Sequence, residues 1–148
     1  MVDISEKPDV VRTAKAEGKI RLKKVTIQAI KGERIKKGDV ISAAKLAAIN
    51  AVKKTSDMIF LTHPIPITDV DVSLEINEEE STIKLAIRVK SFGKTGVEIE
   101  ALMGVMTGLL TIFDMCKYLE KDKLGQYHTT DISDIKVVEK TKEPAASD

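Results

Sequence analysis

Aromatic residues are scarce. There is no tryptophan, and two tyrosines and three phenylalanines make up 3% of the chain. Sheets that bind RNA stack bases on exposed aromatics, and neither of the two most regular strand segments contains one before Phe92. Cysteine is nearly missing too. Cys116 stands alone, which excludes an intramolecular disulfide and fits a reducing compartment. With His63 and His128 it completes a census of soft ligands that lacks paired spacing, so no metal site is expected. No charge dominates, since 24 Lys and Arg face 23 Asp and Glu. That balance gives no global pull on nucleic acid or membrane, although lysines cluster locally around Lys36 and Lys53. No long apolar run is present either. Ala101 to Phe113 spans 13 residues with two threonines, too short to cross a bilayer and better read as a buried helix. The polar start, Met1 to Pro8, has no signal-peptide core. The expectation is a cytoplasmic protein with no membrane or nucleic-acid partner.

The 148 residues, 43% of them hydrophobic, suffice for one domain with a core. Residues 1–9 lack periodicity and read as a flexible arm, 10–138 as the domain, and 139–148 as a polar, mobile tail. Alternation near Ala16 to Leu22 indicates a strand, and Lys24 to Lys31 a short helix ended by Gly32. Asp39 can cap a helix whose apolar face is Val40, Ala44, Ala47, Ala48 and Ala51. The prolines make Leu61 to Pro66 extended. Val70, Val72, Leu74 and Ile76, then Ile83, Leu85, Ile87 and Val89, alternate with polar residues around the turn Asn77 to Ser81, which defines an antiparallel hairpin. A long helix runs from about Val97 to Leu119, and Asp131 to Val138 forms a last strand. Together these suggest an α+β fold, a ferredoxin-like antiparallel sheet with helices on one face.

Three features could carry chemistry, and a fourth bears on packing. Gly93-Lys94-Thr95-Gly96 opens a helix, where free N–H groups suit anions. It is not a full phosphate loop, and a plain strand-to-helix turn explains it as well. His63, directly before Pro64 in a proline-stiffened segment, sits on a backbone that could aim it, or is an ordinary surface histidine. Asp114 interrupts an apolar helix with Lys117 three residues on, either a proton-transfer pair or a simple helical ion pair. Gly104, Thr107, Gly108 and Thr111 form a small-residue stripe suited to close helix packing, inside the domain or between subunits.

Five ordered blocks resemble one family, that of cyclic pyranopterin monophosphate synthase, also called molybdenum cofactor biosynthesis protein C. They are Met1-Val2-Asp3-Ile4-Ser5, Lys37-Gly38-Asp39-Val40, Leu61-Thr62-His63-Pro64, Gly93 to Ala101, and Thr111-Ile112-Phe113-Asp114-Met115-Cys116-Lys117. The resemblance covers residues 1 to about 122. It implies a lyase that converts 3′,8-cyclo-7,8-dihydro-GTP to cyclic pyranopterin monophosphate and releases pyrophosphate. It further implies a homohexamer, a trimer of dimers with active sites at the dimer interfaces. No cofactor is required, though Mg2+ could accompany the triphosphate. Carried onto matching positions, Asp114 and Lys117 are the general acid/base pair and Lys37 a further catalytic or phosphate-binding cation. Leu61, Thr62, His63, Ile99 and Glu100 line the substrate, with Glu98 nearby.

Two positions depart from the family pattern. Thr62 stands where cysteine is frequent. The glycine-rich loop with the family's C-terminal lysine is replaced by Val137 to Pro144, so Lys140 or Lys142 is the available substitute. Rival readings are a non-enzymatic nucleotide- or RNA-binding module and an inactive structural oligomer.

Overall fold

The computed structural model describes residues 1–144. The elements are β1 (Val10–Arg21), α1 (Lys24–Lys31), α2 (Val40–Lys53), α3 (Thr55–Met58), β2 (Ile67–Asn77), β3 (Thr82–Gly93), α4 (Glu98–Glu120) and β4 (Asp131–Glu143). The strands form one sheet in the order β2-β3-β1-β4, with every neighbouring pair antiparallel. This is the expected α+β architecture, and the split βαββαβ order is consistent with a ferredoxin-like sheet.

The inner face of the sheet is set by alternation. Ile83, Leu85, Ile87 and Val89 of β3 are buried, as are Ala14, Ala16 and Ile20 of β1. The outer face carries charge pairs between strands: Lys15 with Glu139, Lys19 with Asp134, Arg88 with Asp69, and Glu17 between Lys84 and Lys136. Opposite charges on paired strands contribute modestly and leave that face wet.

Helix α4 lies across the inner face with α2 beside it. Close approach depends on glycine. A Cβ on Gly104 would stand 2.5 Å from Ile87 Cδ1, and one on Gly108 2.4 Å from Leu85 Cδ1 and 3.3 Å from the Ala44 carbonyl oxygen. The small-residue stripe therefore serves packing inside the domain at its glycines. By length and composition α4 could cross a membrane. Val105, Leu109 and Ile112 are fully buried in the domain core instead.

Glu120 ends α4 and is itself buried, 1% exposed. Its carboxylate accepts the Lys23 amide N–H at 3.0 Å, the Thr130 hydroxyl at 2.6 Å and the Thr26 hydroxyl. Helix α1 has no cap from its own N-cap side chain. Glu120 supplies that cap from 97 positions away, putting an anion where the helix dipole favours one.

Four boundaries differ from expectation. β1 begins at Val10, not near Ala16, because its first inward residues include the small Ala14, which gives little hydropathy signal. β4 continues past Val138 to Glu143, pairing Glu139 to Glu143 with Lys15 to Val11. The polar tail thus starts later, and residues 145–148 of it lie outside the described residues. A short helix, α3, follows α2 directly. Leu61 and Thr62 belong to a turn closed by the Thr62 amide on the Ile59 carbonyl. Proline restrains only its predecessor, so His63 and Ile65 are held while Leu61 is free to turn.

Candidate active site

The expected site residues fall into three groups along α4. The first lies at its N-terminal end. Leu61, Thr62, His63, Ile99 and Glu100 line a cavity of about 310 Å³, with Val2, Ile4 and Lys7 of the N-terminal arm on another wall. That volume is at the low end for ligand sites, roughly 300–1,000 Å³. The arm is tied down by the Lys94 ammonium, which donates to the Ser5 carbonyl at 2.7 Å. Glu100 is the buried acid of this cavity, 3% exposed. Burial pushes its carboxyl above the usual range, its own backbone N–H opposes this, and the neighbouring Glu98 charge adds to the rise. An acid shifted this way can hold a proton for transfer nearer neutral pH.

Glu98 does not share that cavity. It lines an adjacent groove with Arg12, Thr13, Gly96, Lys140, Thr141 and Lys142. Its carboxylate meets Lys140 Nζ at 2.7 Å. Partial burial acts to raise its pKa, but the Lys140 hydrogen bond and the α4 backbone outweigh that and hold it below the ordinary value. Both candidate C-terminal lysines therefore face the α4 N-terminus: Lys140 is engaged by Glu98, and Lys142 stands near Arg12. Arg12 was absent from the expected set. It donates to the Gly93 and Lys94 carbonyls, fixing the turn that precedes α4. No local pattern marks it, since its partners are 81 and 82 positions away.

The third group lies near the C-terminal end of α4. Asp114 Oδ2 accepts from Lys37 Nζ at 2.7 Å, and Oδ1 meets Lys117 Nζ at 3.1 Å. The Lys37 hydrogen bond first, then that of Lys117, holds the Asp114 carboxyl below its ordinary value. Lys37 reaches it from the loop between α1 and α2, where Gly38 takes the left-handed φ of +109°. Asp39 then caps α2 by accepting the Ser42 amide at 3.0 Å. A carboxylate bracketed by two ammonium groups, all about half exposed, can relay protons and hold anionic oxygens. Cys116 belongs to the core: burial first, and the Glu120 charge second, push its thiol up to about 12, so it is no nucleophile. Among the described residues, no three His, Cys, Asp or Glu side chains gather as metal ligands.

Helix α4 runs unbroken from Glu98 to Glu120. Glu100 and Asp114 are therefore roughly 21 Å apart along its axis, at about 1.5 Å per residue. One protomer separates the cavity from the Lys37–Asp114–Lys117 cluster.

A compact α+β domain with a carboxylate–lysine cluster and a separate acid-lined cavity is the class defined so far. The sequence comparisons narrow it. The family model described as the MoaC family matches residues 1–143, and the chain belongs to that family. A protein of Thermococcus onnurineus named probable cyclic pyranopterin monophosphate synthase is 52% identical over 143 residues, covering 97% of this chain and 90% of the relative. One of that name from Archaeoglobus fulgidus is 54% identical over 142 residues, covering 96% and 90%. A Methanothermobacter thermautotrophicus relative, 49% identical over 142 residues and covering 96% and 88%, is named a probable cyclic pyranopterin monophosphate synthase accessory protein.

Proposed function

We propose that this protein is a cyclic pyranopterin monophosphate synthase of molybdenum cofactor biosynthesis, a cytoplasmic lyase acting on 3′,8-cyclo-7,8-dihydro-GTP and releasing pyrophosphate. The observation that carries this reading is Asp114 held between Lys37 and Lys117. Rebuilding a purine-derived ring as a pterin needs several proton transfers, and a triphosphate needs cations. Asp114 with Lys117 serves the proton transfers, and Lys37 steadies the carboxylate and binds the substrate's anionic part. Leu61, Thr62, His63, Ile99 and Glu100 hold the ring system, with Glu98 at the neighbouring groove. Mg2+ bound to the triphosphate is compatible with this scheme.

The separation along α4 favours sites built from two chains. Glu100, Met103, Thr107, Leu110, Asp114 and Lys117 recur at spacings of three and four, so they share one face of the helix. Exposure rises along that face, and Leu110 is 59% exposed. Nearby Phe60 and Leu61 are exposed as well. An isologous contact of two such faces, antiparallel about an axis near Thr107, brings Glu100 of one chain opposite Asp114 of its twofold mate. Three such dimers would complete a homohexamer.

The test is to incubate the purified chain alone with the cyclised GTP and follow pterin product and pyrophosphate. Formation of both supports the reading. Turnover only after a second protein is added would favour an accessory role, which the name of the Methanothermobacter relative suggests. No turnover in either case would reject both.

A further inference from the structure

We propose that Tyr118 is a positioning residue that holds the Lys37 loop against α4, so that the Lys37 ammonium meets Asp114. This rests on the reading of Lys37, Asp114 and Lys117 as the reacting cluster.

The loop between α1 and α2 holds a turn of its own, closed around Lys36 and Lys37 by the Gly38 N–H donating to the Ile35 carbonyl at 3.0 Å, which sets its local shape but not where it docks on α4. Ile35 is buried on one side of Lys37, and Asp39 caps α2 on the other. Between them Lys36, Lys37 and Gly38 are exposed, and Gly38 has the left-handed φ of +109°. A lysine on such a segment can sample many positions. The Lys36 amide N–H, however, donates to the Tyr118 hydroxyl at 3.0 Å. The Lys36 ammonium lies 5.2 Å from the centre of the Tyr118 ring, within cation–π range. Two contacts from one half-buried side chain thus pin the residue next to Lys37.

The position of Tyr118 explains why this serves the cluster. It follows Asp114 by four residues and Lys117 by one, on a continuous helix. Residues at i and i+4 share a face. A single turn of α4 therefore presents the carboxylate and the phenol that locates its loop partner. Glu120, two residues further on, fixes the start of α1 through Lys23 and Thr26. Both ends of the α1–loop unit are tied to the last two turns of α4. The Lys37–Asp114 contact links residues 77 apart, so its geometry depends on how that unit docks, and misplacement of a reacting group by about 1 Å can cost up to about a hundredfold in rate.

Tyr118→Phe keeps the ring and removes only the hydroxyl. The variant is expected to keep its melting temperature within about 2–3 °C, as fits the loss of one surface hydrogen bond, while kcat/KM falls about tenfold. Two readouts do not depend on turnover. The Lys36 amide should lose protection from hydrogen exchange, and the Asp114 carboxyl, followed by carbon NMR, should titrate higher because Lys37 no longer holds it. Lys37→Ala should raise the same titration, and adding Tyr118→Phe to it should change nothing further. An unchanged Asp114 titration in Tyr118→Phe overturns the proposal, as does a further shift in the double variant. If instead Asp114→Asn turns over normally, the catalytic reading of the cluster fails, and the two NMR readouts still decide whether Tyr118 places Lys37.

Discussion

Glu100 and Asp114 cannot both touch one compact substrate within one protomer if α4 stays straight, and it runs without interruption between them. Fourteen residues at about 1.5 Å each place them roughly 21 Å apart. Long side chains shorten that by a few ångströms at each end, which still leaves more than a pterin ring can bridge. Glu100→Gln keeps the shape of the buried acid and removes its ability to ionise. Asp114→Asn does the same for the carboxylate between the lysines. Each variant alone is expected to be inactive. Unfolded together in equal amounts and refolded, they pair at random, so about half the dimers are mixed. Each mixed dimer holds one intact site and one doubly damaged site. Recovered activity should therefore be about a quarter of wild type, read as pyrophosphate release per chain. Mixed dimers are confirmed separately by a tag on one variant. If they form and no activity returns, the two residues act within one chain or one of them does not act at all.

Other consequences of the structure are open to simpler measurements. Glu120→Gln turns an amide NH2 toward three donors that now share a carboxylate, so it should destabilise the fold by about 2–4 kcal/mol in urea unfolding. Gly108→Val forces methyl groups against Leu85 and the Ala44 carbonyl and should lower stability by about 2–3 kcal/mol with the denaturant slope unchanged. Glu100 has a folded pKa above its ordinary 4.5, so its protonated form is favoured by folding, and its contribution is lost as pH rises from 4.5 through the folded value. Glu100→Gln should therefore melt higher than wild type at pH 7, with the difference vanishing below about pH 4. A mutant that is no more stable at pH 7 would contradict the burial argument.

Legibility in the sequence tracked how local the determinants are. The β2–β3 hairpin is written in strict alternation, and its register pairs Ile76 with Ile83 and Leu74 with Leu85 as that alternation requires. The Asp39 cap needs only Ser42, three residues on, and was equally plain. The start of β1 was hidden because Ala14 and Ala16, fully buried, carry too little hydropathy to mark a face. The end of β4 was hidden because Glu139 to Glu143 are polar residues of an edge strand whose hydrogen bonds go to β1. At the site, the Asp114–Lys117 pair was visible as a helical i, i+3 contact, and Lys37 entered only through the family resemblance. No pattern in the chain reveals that Lys37 reaches Asp114, that Tyr118 takes the Lys36 amide, or that Arg12 secures the Gly93–Lys94 turn, since each joins distant segments. The arm is a similar case: its residues show no periodicity, and its place on the cavity wall depends on Lys94, 89 positions from Ser5.

The most direct measurement of the central claim compares wild type with Asp114→Asn in single-turnover reactions with 3′,8-cyclo-7,8-dihydro-GTP, following pterin formation and pyrophosphate together. Asp114 is exposed, and among the described residues its side-chain polar partners are Lys37 and Lys117, so the variant should fold and melt like wild type. If the cluster is the proton-transfer centre, wild type forms both products and the variant slows by about a hundredfold or more. A folded Asp114→Asn protein that forms both products at the wild-type rate would contradict the account.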